Sequence, residues 1–245
     1  MTPPLTQIQY DALSDLFYNQ GYQVGIAKLY KLVSGQYPQA LISYRQVADY
    51  LKKQPLYQTN QAQRQTQHIK VITANRHHEM VQMDLLDYSQ NSAPNSYKYV
   101  VVIIDTFSRF VWLYKTKDKQ AKTITKIFTE WYNNEILTTG VLITKLITDK
   151  GGEFTGLNDF LKQHNIKHIT STQPTSQSLV ERCNQTIRRL WQKYIILKGI
   201  KNRWAVLDKI AELYNTSPHS TTGLSPKQLY DMEDSPELDA IKIKL

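Results

Sequence analysis

The chain has 245 residues, enough for one large domain or for a core of roughly 150 residues beside a smaller unit. An apolar share of 41% and a charged share of 21% exclude wholesale disorder or a fibre, and no apolar run approaches the ~20 residues of a membrane span. Cys183 alone excludes an internal disulfide and a zinc site built on two thiolates; with no basic, apolar leader at its start, the chain is expected to be soluble and intracellular.

The net charge of +9 is unevenly spread. Residues 1–77 hold eight Lys/Arg against three Asp/Glu, and no acid stands between Asp49 and Glu79. Lys52, Lys53, Arg64, Lys70 and Arg76 all fall in that gap. Such a stretch suits the phosphate backbone of nucleic acid, and it equally suits a solvated linker.

Residues 8–55 read as helical. Leu13, Leu16 and Phe17 recur at helical spacing with Ile8 before them, and Ile26, Leu29, Tyr30 and Val33 repeat the pattern, with Gly35 as a stop. Ser43 is a good N-cap for Tyr44–Lys53. Three short helices with a basic last one resemble a helix-turn-helix unit, in which Arg45, Lys52 and Lys53 would face DNA; a bundle that only packs is the alternative. A basic, Gln-rich linker follows over 57–77, with Arg64 and Lys70 as further candidates for DNA contact.

From residue 79 the pattern changes to strands. Met80–Leu86, the β-branched run Tyr97–Ile104, and Arg109–Tyr114 form three in succession. A long amphipathic helix carries Ile124, Ile127, Phe128, Trp131, Tyr132 and Ile136. Leu142–Thr148 is a fourth strand, ending at Asp149. A short helix with Phe154, Leu157, Phe160 and Leu161 precedes a fifth strand, Ile166–Thr170. Helices over about 178–198 and 203–215 come next, and Ser225-Pro226 reads as an N-cap with proline at the first helical position. The fold class is α/β, a five-stranded mixed sheet flanked by helices behind a small helical N-terminal unit. The expected divisions are 1–56, the linker 57–77, a core over 78–238 and a tail over 239–245.

Three carboxylates stand where chemistry could be done. Asp84 sits among apolar residues inside the first strand, where an unpaired carboxylate is costly. Asp149 ends the fourth strand before Lys150-Gly151-Gly152, and Glu181 lies near a helix start. Strand ends and helix starts converge at one edge of an open α/β sheet. Carboxylates without His or Cys suit Mg²⁺ or Mn²⁺, and two such ions can serve an in-line displacement at phosphorus. Histidine ligation is not expected, because the six histidines are scattered and adjacent His77 and His78 point to different sides. Spacing alone does not separate the three acids from Asp87, Asp105, Glu153 and Asp159.

Several strings, in order, carry a resemblance. Tyr99-Val100-Val101-Val102-Ile103-Ile104-Asp105-Thr106-Phe107-Ser108-Arg109, then Asp149-Lys150-Gly151-Gly152-Glu153-Phe154, then Ile166-Lys167-His168, then Leu179-Val180-Glu181-Arg182-Cys183-Asn184-Gln185-Thr186 resemble the catalytic core of DDE, retroviral-type integrases. Tyr214-Asn215, His219 and Ser225-Pro226 resemble its closing segment, so the likeness runs from about 80 to 231. Asp-Lys-Gly at the second aspartate and Val-Glu-Arg-x-Asn-x-Thr around the glutamate are nearest to integrases of Maverick/Polinton elements and virophages.

The resemblance implies an RNase H-like core. It implies metal-dependent 3′-end processing and strand transfer of mobile-element or viral DNA, with two Mg²⁺ or Mn²⁺ ions on Asp84, Asp149 and Glu181. Lys150, Gln177, Arg182, Asn184 and Arg188 would face DNA or brace the site, whereas Asp105, Phe107, Ser108 and Arg109 would be architectural. Double-stranded DNA, a homo-oligomer and a nuclear or virion location also follow from it. An RNase H-like nuclease or resolvase that cleaves without joining, and an inactive DNA-binding derivative, are the alternatives. The chain departs from retroviral integrases in its shorter span between Asp149 and Glu181, in Leu179 where glycine is frequent, and in Met83 before Asp84.

Overall fold

The computed structural model describes residues 3–58, 74, 76–170, 178–220 and 222–232. Its helices in chain order are α1 (Gln7–Ser14), α2 (Ile26–Gln36), α3 (Tyr44–Lys52), the single turn α4 (Pro55–Gln58), α5 (Ala121–Thr139), α6 (Asn158–Gln163), α7 (Ser178–Lys198), α8 (Leu207–Thr216) and α9 (Pro226–Tyr230). The strands are β1 (Met80–Asp87), β2 (Tyr99–Asp105), β3 (Val111–Thr116), β4 (Lys145–Thr148) and β5 (Lys167–Thr170). Contacts divide the chain into two units, Met1–Gln67 with Ile187–Gln228, and His68–Thr186 with Leu229–Leu245. This differs from the division read from the sequence, because the later part of α7 and all of α8 group with the N-terminal helices.

The helical unit starts from capping chemistry. Thr6 Oγ1 accepts the Gln9 N–H while the Gln9 side chain accepts the Thr6 N–H, and Ser43 and Gln46 repeat this exchange at α3. Leu13, Leu16, Phe17, Leu29, Val33, Val47 and Leu51 are buried, as the helical spacing predicts. Ile8 is not: it is 65% exposed. Gly35 does not stop α2, which runs to Gln36. The link from Tyr37 to Ser43 contains a 3-10 turn and Leu41 at φ 47°, a longer path than the roughly three- or four-residue turn of a helix-turn-helix unit. Gly21, at φ +85°, is required on two counts, since a Cβ there would also stand 2.8 Å from the Tyr194 ring. The Tyr22 hydroxyl lies 3.2 Å from Thr216 Oγ1, and Trp191 packs edge-on against Trp204.

In the other unit the strands form one sheet in the order β3-β2-β1-β4-β5. β1, β2 and β3 pair antiparallel, while β1–β4 and β4–β5 pair parallel. Alternation sorts β1 into two faces. Val81 and Met83 join Val101, Ile103, Ile124, Phe128, Trp131, Leu146, Phe154 and Leu161 in the main core. Gln82 and Asp84 point to the opposite face, where they meet α7.

The corner after β2 explains why β3 begins at Val111 and not at Arg109. Asp105 is fully buried, and its carboxylate accepts the His78 N–H at 2.9 Å, the Ser108 N–H at 2.7 Å and the Ser108 hydroxyl at 2.6 Å. Arg109 then takes φ 67°, so the strand cannot start until after it. Asp105, Phe107, Ser108 and Arg109 are all buried in this corner. Glu135 on α5 fastens the neighbouring elements, accepting from Trp112 Nε1 at 2.9 Å and from the Tyr230 hydroxyl at 2.7 Å. Leu142, read as the start of the fourth strand, is 63% exposed and lies before β4. Among the described residues no helix is long and apolar enough to cross a membrane.

Candidate active site

Register brings the first two acids level. The β1–β4 pairing matches Val81 with Leu146 and Gln82 with Ile147, and stops there. Two residues further on stand Asp84 on β1 and Asp149 just past β4. The same step along two parallel strands carries both carboxylates to one end of the sheet. Glu181 arrives from the other direction, in the first turn of α7, where a negative charge also suits the helix dipole.

Asp84 is half-buried. Its Oδ1 accepts the Leu85 N–H at 2.8 Å, and its Oδ2 accepts Asn184 Nδ2 at 2.6 Å. Burial pushes its carboxyl above the ordinary carboxylate range, and the charges of Asp149 and Glu181 push it further, against the two hydrogen bonds. Asp149 and Glu181 are thus near enough for their charges to act on Asp84.

Asp149 is set by its own turn. Its Oδ1 accepts the Gly151 N–H at 2.8 Å. A Cβ at Gly151 would lie 2.8 Å from that oxygen and 2.7 Å from Glu153 Oε2, so a side chain there would push both carboxylates aside, although φ is not positive. The Thr148 hydroxyl donates to the Asp149 carbonyl at 2.8 Å and lies 2.9 Å from His168 Nε2. Nδ1 of His168 is 3.0 Å from Asn158 Oδ1, and burial lowers the pKa of the ring.

The remaining candidates divide by exposure. Lys150, Arg182 and Arg188 are exposed, as are Arg45, Lys52 and Lys53 on and beside α3. Asn184 is buried and bonded to Asp84. Gln177, Arg64 and Lys70 lie outside the described residues. Cys183 is buried, as expected of a small apolar side chain. Sequence reasoning passed over Gln82, whose Oε1 accepts the Val180 N–H at 3.1 Å, and the crowding at Gly151. An amide two residues before Asp84 in an otherwise apolar strand was the available signal for the first.

A hard divalent cation fits these donors in type and in charge. All three are carboxylates, and the charges that make Asp84 costly to ionise are those a cation offsets. Beside Asp84, Asn184 Oδ1 is buried without a hydrogen-bond partner, an acceptor that water carried by such an ion would satisfy. Among the described residues the acids are not drawn together into a ligand shell.

Comparison with known proteins finds similarity over part of the chain. Residues 74–176 match the family model described as Integrase core domain. The chain is 37% identical over 107 residues to the retrovirus-related Pol polyprotein from transposon RE2 of Arabidopsis thaliana, covering 43% of this chain and 7% of that polyprotein. It is 32% identical over 157 residues to the Pro-Pol polyprotein of Simian foamy virus type 1, covering 61% of this chain and 13% of the relative. The chain thus spans only a small part of these relatives. A chain in the cryo-EM structure of a simian T-cell lymphotropic virus intasome in complex with PP2A regulatory subunit B56 gamma superposes with a TM-score of 0.59 at 19% identity, over 86% of this chain and 76% of that one. At that identity the likeness is one of fold: the mixed five-stranded sheet is that of RNase H-like integrase cores.

Proposed function

We propose that this chain is a DNA integrase that uses Asp84, Asp149 and Glu181 first to trim a 3′ end of mobile-element or viral DNA with water, and then to join that 3′-OH to target DNA. The observation that supports the proposal is that the β1–β4 register carries Asp84 and Asp149 to one end of the sheet, with Asp84 bonded to Asn184 three residues after Glu181 on α7, in a chain whose residues 74–176 match an integrase core. Asp84, Asp149 and Glu181 would hold Mg²⁺ or Mn²⁺, two ions by resemblance. Such ions supply activation of the attacking oxygen and neutralisation of the leaving one, which serves both phosphoryl transfers.

The chain's own residues fix the acids for that task. Asn184 and the Leu85 N–H orient the Asp84 carboxylate, and the Gly151 N–H orients that of Asp149. Lys150 and Arg182, exposed beside Asp149 and Glu181 in sequence, would meet DNA phosphates. Gln177, Arg188, Arg45, Lys52, Lys53, Arg64 and Lys70 complete the proposed DNA contacts. Within the integrases we favour the Maverick/Polinton and virophage branch, on the Asp149-Lys150-Gly151 and Val180-Glu181-Arg182 strings. Holding two DNA ends calls for a homo-oligomer on double-stranded DNA, working in a eukaryotic nucleus or carried in a virion.

A strand-transfer assay with Mg²⁺ and oligonucleotides bearing the source element's termini tests this. Joined product is expected. Cleavage without joining would replace integration with a nuclease or resolvase activity, and full activity in Glu181→Gln would overturn the triad.

A further inference from the structure

Gln82 sits in the middle of the central strand and is fully buried. A buried amide is costly unless it is hydrogen-bonded, and a β-branched residue would pack a central strand as well. Its Oε1 accepts the Val180 N–H at 3.1 Å, across 98 positions of sequence. Val180 is the third residue of α7, so its N–H is one of the four that a helix cannot satisfy internally. Such a donor ordinarily finds a side chain just before the helix. Here a strand supplies the acceptor.

A second tie lies one step along. Asp84 and Gln82 are two residues apart on one face of β1, about 6.7 Å. Their partners Asn184 and Val180 are four residues apart on one face of α7, about 6 Å along its axis. The two spacings match, so the strand and the first turns of the helix are joined by two parallel rungs. One rung would let the helix pivot and slide; two fix its height and its rotation. Glu181 follows Val180 directly and lies between the rungs in height.

We propose that Gln82 is a positioning residue that sets where Glu181 stands beside Asp84, by capping α7 from the neighbouring strand. This rests on the reading of Asp84 and Glu181 as paired functional carboxylates. A cap that served folding alone would influence helix fraying and nothing else. A positioning residue must also alter how the acids take a cation.

The test uses the full chain, amide hydrogen exchange across α7, and binding of Mn²⁺ alone followed by electron paramagnetic resonance. In the unmodified chain the Val180 amide, whose partner among the described residues is Gln82, should be protected. Gln82→Met, which keeps volume and loses the acceptor, should release that protection and weaken Mn²⁺ binding about 10-fold, with protection of the sheet amides unchanged. Glu181→Gln should weaken Mn²⁺ binding at least as much and leave Val180 protected. Gln82→Met with unaltered Mn²⁺ affinity, beside a responsive Glu181→Gln, would overturn the role of Gln82 alone. If the unmodified chain bound no Mn²⁺, or Glu181→Gln bound it as tightly, the carboxylate reading would fall and this inference with it. Should Gln82→Met fail to fold, Val180 in the unmodified chain still decides: exchange as fast as an unbonded amide overturns the cap.

Discussion

Asp84 and Asp105 stand on adjacent, antiparallel strands of one sheet, and both would be read from sequence as acids in apolar surroundings. Their environments are opposite. Asp105 is enclosed by donors, namely the His78 N–H and the N–H and hydroxyl of Ser108, with the His77 ring beside it. Burial disfavours its charge, but His77, Ser108 and His78 together hold its carboxyl below the ordinary range. Asp84 has two donors and two further acids, and it is pushed above that range. A buried acid with its donors complete holds a corner together. One left among other acids has its charge unmet by the fold, which is where a cation or a substrate belongs.

The largest effect expected from this contrast is on chemistry. Asp84→Asn should reduce strand transfer to below about one thousandth of the unmodified rate. The same substitution should raise the thermal unfolding midpoint near neutral pH, because it removes a charge the fold disfavours. Loss of stability in Asp84→Asn, followed by circular dichroism, would break the comparison.

Next in size is the corner. Asp105→Ala leaves three donors without an acceptor in a dry site and should cost about 3 kcal/mol in urea unfolding. A cost near zero would mean that the corner does not depend on this carboxylate.

Gly151→Ala should act on Asp149, since the added carbon meets carboxylate oxygens on two sides. A stability loss of about 1–2 kcal/mol is expected, with a larger fall in joining than in DNA affinity. Equal falls in the two would place the effect outside the Asp149 turn.

The smallest effect is in pH dependence, and its sign differs between the two acids. Asp105 is lowered from 3.8, so its contribution to stability is present above that value and is lost as pH falls through its folded pKa. Asp84 is raised from 3.8, so its contribution is complete below that value and is lost as pH rises through its folded pKa. Urea midpoints measured across pH should therefore lose part of their acid limb in Asp105→Asn. In Asp84→Asn they should lose part of the decline on the higher side of 3.8.

Much of this was legible in the sequence. Period-two alternation and β-branched runs located the strands of the sheet, helical spacing located α5 and α7, and Ser43 announced α3, because these are local properties of the backbone and its nearest side chains. The carboxylates were visible as residues, and the ordered strings around Asp149 and Glu181 marked them out. What the chain alone could not decide was which acids meet. That follows from the β1–β4 register, which brings Asp84 level with Asp149, and from the rungs joining β1 to α7, about 100 positions apart in sequence. Spacing did not separate Asp84 from Asp105 either; the resemblance did, but the physical reason lies in donors and charges that only the folded chain brings beside each acid. Ile8 and Gly35 went the same way: helical spacing says which residues share a face, but only packing says which face is covered and where the helix ends.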